Sequence, residues 1–122
     1  MLWRGVTAKT KCKEIELTSL CFLFLVPYNL VGLLQWCFDM DNSNNYGETN
    51  YGWRLLDDCA LKCQSLGAAN FIFGNKDRPY YNKETNYGSC FCHVLAPKDG
   101  SCVKKLKPDF DLYYSGGRFT MV

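Results

Sequence analysis

The chain has 122 residues, 48% hydrophobic, 21% charged and 16% aromatic, a composition that fits one globular domain and excludes a disordered or low-complexity chain. A formal net charge of +2, from 14 Lys+Arg against 12 Asp+Glu, leaves no electrostatic footprint for nucleic acid. The single histidine, His93, has no nucleophile motif beside it, which argues against a Ser-His-Asp or Cys-His enzyme. Eight cysteines dominate what remains.

In chain order, Arg4, Lys9, Lys11 and Lys13 outweigh Glu14 and Glu16, and no charged side chain follows from Leu17 to Phe38. A positive flank before an apolar stretch reads as a secretory signal. The flank is long and no A-x-A site follows, so residues 1–35 are expected to be either a signal peptide or an uncleaved signal-anchor, about 20 apolar residues being enough to span a bilayer. A core helix or strand is the competing reading. Pro27 weakens a soluble helix there by about 3 kcal/mol. Either export reading places the rest of the chain outside the cytosol.

Residues 37–122 carry 10 Lys+Arg and 10 Asp+Glu, so charge steering of a partner is not expected. Their six cysteines read as three disulfides of a small exported domain. Trp36–Asp39 reads as a short strand and the Asn/Gly-rich 41–52 segment as an exposed loop. From Arg54 to Gly67, Leu56, Cys59, Ala60, Cys63 and Leu66 recur at helical spacing, with Asp57 and Asp58 at the dipole's positive end and Gly67 as the stop. Ala69–Gly74 and Ser89–Leu95 read as strands flanking a long polar loop over 75–88, and Asp111–Ser115 as a closing strand before a tail at 116–122. Glu-Thr-Asn-Tyr-Gly occurs at 48–52 and at 84–88, in non-equivalent settings that do not make a repeat. Lys104, Lys105 and Lys107 read as solvated surface.

Cys59 and Cys63 lie one helical turn apart, and Cys90 and Cys92 share one face of a strand. This favours a nested set of bridges, Cys37–Cys102 outside and Cys59 and Cys63 to Cys92 and Cys90 inside. Which helix cysteine takes which strand cysteine stays open, and Cys12 and Cys21 are expected to stay out of the set. Zinc is the rival for Cys59, Cys63, Cys90, Cys92 and His93, but C-x3-C and C-x-C are not the common C-x2-C knuckles, and export favours oxidation. His93 follows an inward cysteine and is expected at the surface or partly covered. No cofactor or metal is expected.

The run Leu56-Asp-Asp-Cys-Ala-Leu-Lys-Cys-Gln-Ser-Leu-Gly-Ala-Ala-Asn-Phe-Ile-Phe-Gly74 resembles the helix-plus-strand core of PAN/Apple-like domains. So do Gly88-Ser-Cys-Phe-Cys92, Asp99-Gly-Ser-Cys102 and Asp111-Leu-Tyr113, in the manner of the divergent invertebrate forms. The resemblance covers about residues 36–115. It implies an α+β fold: one α-helix on a curved antiparallel sheet, held by helix-to-sheet disulfides. It also implies an extracellular, non-catalytic module that binds proteins or carbohydrates. From the charge no nucleic-acid partner is expected, and from the apolar segment a membrane only through an N-terminal anchor. Two features depart from the family. Leu55 stands where a Ser or Thr cap is usual, and the 75–88 loop is longer and richer in tyrosine.

Tyrosine offers broad amphipathic contact and asparagine paired donors and acceptors, so Arg78, Tyr80, Tyr81, Asn82 and Tyr87 are the ligand-binding candidates for an adhesion- or matrix-type role. The alternative is a small secreted enzyme or disulfide-exchange protein using Cys90 and Cys92, which would need an exposed thiolate of low pKa.

Overall fold

The computed structural model describes residues 7–15, 18–26, 28–41, 44–115 and 120–121, and the side chains of 28–41 and 44–115. The strands in chain order are β1 (Thr7–Ile15), β2 (Thr18–Val26), β3 (Asn29–Gly32), β4 (Gln35–Cys37) and β5 (Glu48–Arg54). Helix α1 (Leu56–Ser65) follows, then β6 (Asn70–Gly74), β7 (Tyr81–Asn82), β8 (Tyr87–His93), β9 (Lys104–Leu106), β10 (Phe110–Tyr114) and β11 (Thr120–Met121). The main sheet is antiparallel, in the order β3-β10-β6-β8-β5, with β7 paired to the start of β8. β4 and β9 form a separate ribbon, and β1, β2 and β11 a further three-stranded sheet. This is an α+β fold, one helix on an antiparallel sheet, stabilised by disulfides. Among the described residues no helix is long and apolar enough to cross a membrane.

Alternation along the strands divides the core in two. Phe71, Phe73, Cys90 and Cys92 face the helix and meet Cys59, Ala60 and Cys63. Ile72, Phe110 and Leu112 face the other way and pack on Cys37 and Cys102. Helix α1 begins after Leu55, which makes no side-chain cap, and stops at Gly67, whose φ of +77° suits glycine.

The bridges are Cys37–Cys102, Cys59–Cys90 and Cys63–Cys92. The helix-to-sheet arrangement is as expected, but the inner pair is crossed rather than nested. The turn from α1 into β6 is short, so the helix runs antiparallel to β6 and therefore parallel to β8. Its first half lies over Cys90, opposite Phe73, and its second half over Cys92, opposite Phe71. Among the described residues no cysteine is free. Cys12 and Cys21 are register partners of β1 and β2, and the expectation about their thiols lies outside the described residues.

Three further differences from the sequence reading have physical causes. Residues 48–52, expected as loop, form with Trp53 and Arg54 the edge strand β5; its burial does not alternate, because the register breaks between Asn50 and Trp53. Residues 28–35, upstream of the expected domain start at 36, contribute β3 and the buried Tyr28. His93, expected near the surface, is fully buried, because a 3-10 turn at Asn45–Gly47 and the start of β5 fold over it. Its Nε2 lies 2.6 Å from Glu48 Oε2, while Nδ1 has no partner. Asn45 ties this corner together, donating to the Cys37 carbonyl (2.7 Å) and to Glu48 (3.3 Å) and accepting from the Asp39 amide (2.7 Å).

Candidate functional site

The loop over 75–88 is a short hairpin lying on the end of β6. Two glycines permit this: a Cβ on Gly74 would fall 1.9 Å from the Tyr80 carbonyl oxygen, and one on Gly88 2.6 Å from the Phe73 ring. Asn82 closes the hairpin, its side-chain oxygen accepting from the amides of Glu84 and Thr85.

The five candidates do not form one patch. Tyr80, in the turn that leads into β7, and Tyr81, the first residue of β7, point to opposite faces. Tyr80 is half-exposed and stacks on Phe110, centroids 5.0 Å apart, on the face away from the helix. Tyr81 is half-buried against Phe73 on the helix side, and its hydroxyl donates to Asn86 at 2.9 Å. Arg78 sits beside Asp109, 4.0 Å away, and Asn82 is occupied in the turn. Tyr87, at 44% exposure, is the most open aromatic of the group after Tyr80 at 45%.

On the helix side, Tyr81 and Asn86 form one wall of a cleft of about 560 Å³. The first turn of α1 with Asp57, the β6 exit with Phe73 and Asn75, and Asp111 and Tyr113 of β10 form the others. Tyr28 closes the inner end. Its ring meets Phe71 and Tyr113 edge-on at 6.1 and 5.8 Å, and its hydroxyl donates to Asp57 Oδ1 at 2.5 Å. Burial, then the Asp57 hydrogen bond, pushes the Tyr28 phenol far above its usual range. Burial and the Asp111 charge do the same to Tyr113. Asp111 is buried and held by the Leu34 amide (3.0 Å) and the Asn75 side-chain amide (2.9 and 3.1 Å), so it also fixes the β3–β4 turn, where Leu34 has a φ of +54°.

The sequence reading named Tyr81 in this cleft and missed Tyr28, Asn75, Asn86, Asp111 and Tyr113 as lining, and it took Asp57 only for a helix-dipole residue. The one signal was an apolar strand carrying a carboxylate as its second residue, Phe110-Asp-Leu-Tyr-Tyr114, which a burial argument would have marked. Cys90 and Cys92 are fully buried, each bonded to a helix cysteine, and the sulfurs of Cys59, Cys63 and Cys90 lie close together as members of two bridges.

Comparison with protein-family models, curated proteins and solved structures found no match. Fold and site together define a small disulfide-rich α+β domain, an architecture compatible with a PAN/Apple-like domain.

Proposed function

We propose that the chain is a PAN/Apple-like extracellular module, non-catalytic, that recognises a protein or carbohydrate ligand through its loops. The observation that carries this reading is the 75–88 hairpin. A scaffold cross-linked three times presents Arg78, Tyr80 and Tyr87 at its surface. Rigid scaffolds with exposed Tyr and Arg on a loop are the usual setting of recognition hot spots. Three disulfides belong to an oxidising compartment, which supports secretion or display outside the cytosol. The test is a glycan and protein array probed with the oxidised full chain. Saturable binding to a defined ligand is expected, and an absence of any specific signal from correctly bridged protein would overturn the reading.

A further inference from the structure

We infer that the cleft between the first turn of α1 and the 80–88 hairpin is a binding site for a small organic ammonium compound with an apolar or aromatic body. This goes beyond the loop-mediated reading and stands independently of it. Three features carry the inference.

The first is shape. At about 560 Å³ the cleft lies within the range that encloses most of a small organic ligand. The second is the lining. Tyr81 and Tyr113, both half-buried, supply the open aromatic surface, backed by the buried Phe73 and Tyr28 through ring contacts between Phe73 and Tyr81 and between Tyr28 and Tyr113. Aromatic faces attract cations, more strongly where water is displaced.

The third is charge. Asp57, Asp77 and Asp111 face the cleft against one basic side chain, the exposed Lys76. Asp77 is paired with Lys83 at 3.0 Å, on the outside. The other ion pairs among the described residues join Arg78 to Asp109 and His93 to Glu48. None reaches Asp57 or Asp111. Their charges are eased only by hydrogen bonds, Tyr28 to Asp57 and Leu34 and Asn75 to Asp111, and for Asp57 by the helix dipole. A half-buried carboxylate without a counter-ion attracts a cation and repels an anion. A ligand whose ammonium group meets Asp57 and whose body lies on the rings satisfies all three features. A sulfate or carboxylate ligand satisfies only the first.

The experiment is isothermal titration calorimetry of the oxidised full chain with three soluble probes of similar size: 2-phenylethylammonium, 2-phenylethanol and 3-phenylpropionate. The ammonium probe is expected to bind about tenfold tighter than the alcohol, and the carboxylate not to bind. Asp57→Asn keeps an oxygen for the Tyr28 hydroxyl and is expected to erase the preference for the ammonium while leaving the alcohol's affinity unchanged. Lys76→Glu, at an exposed position that does not endanger the fold, is expected to tighten the ammonium several-fold. Equal binding of ammonium and alcohol, tighter binding of the carboxylate, or no heat from the ammonium probe in wild type and Lys76→Glu alike would overturn the assignment.

Discussion

Cys59–Cys90 and Cys63–Cys92 tie the same two segments together, so their contributions to stability must be coupled. With both removed, restoring either one closes a loop of about 30 residues, its partners being 31 and 29 apart. The chain-entropy relation makes that worth about 3.5 kcal/mol. With one already in place, the other closes only the short path from Cys59 to Cys63 and from Cys90 to Cys92. A loop of about six residues is worth about 2 kcal/mol. Removing one bridge by a Cys→Ala pair should therefore cost about 2 kcal/mol, and removing both about 5.5 kcal/mol, more than twice the single loss. All four sulfurs are fully buried, so lost packing adds to each variant, whereas the coupling of about 1.5 kcal/mol reports the shared loop. Urea unfolding under non-reducing conditions measures the cycle. Simple additivity would refute the argument that the bridges share a loop. Crossed and nested pairings give the same energies, so the order is read separately: the single variant Cys59→Ala should leave its free thiol at Cys90, and alkylation at Cys92 instead would refute the parallel course of α1 and β8.

Glu48→Ala leaves the buried His93 ring with neither nitrogen bonded, and a loss of about 1–3 kcal/mol in urea unfolding is expected. The raised phenols of Tyr28 and Tyr113 favour the neutral form in the fold. Their stabilisation is complete below the ordinary tyrosine pKa of about 10 and is lost as pH rises above it. Alkaline spectrophotometric titration should therefore leave these two of the eight tyrosines neutral until the chain unfolds. Gly74→Ala drives a methyl group into the Tyr80 carbonyl and is expected to lower the melting temperature and loosen the hairpin, which limited proteolysis between Asn75 and Gly88 would detect. Tyr81→Ala removes both the Phe73 contact and the Asn86 hydrogen bond and should cost stability, whereas Tyr87→Ala should not.

The helix and the three bridges were legible because their signals are periodic: Cys59 with Cys63, and Cys90 with Cys92, place themselves by spacing alone. The crossed order was also within reach, since Gly67 and Ala68 leave so short a turn into β6 that the helix direction over β8 follows from it. β5 was hidden because Glu48-Thr-Asn-Tyr-Gly-Trp-Arg54 is turn-rich and lies at an edge, where pairing comes from the β8 backbone rather than from side-chain pattern. The burial of His93 was illegible for the same reason, its cover being that unrecognised strand. The cleft gathers side chains from 28 to 113, and only the fold brings Tyr28 to Asp57 or Asn75 to Asp111.

The recognition role of the hairpin is tested most directly by probing one glycan and protein array with the oxidised wild-type chain and with an Arg78→Ala/Tyr87→Ala variant of equal melting temperature. The account predicts a defined set of wild-type signals that the variant loses or weakens about tenfold, as hot-spot truncation does. Wild-type signals that the variant retains in full would contradict it.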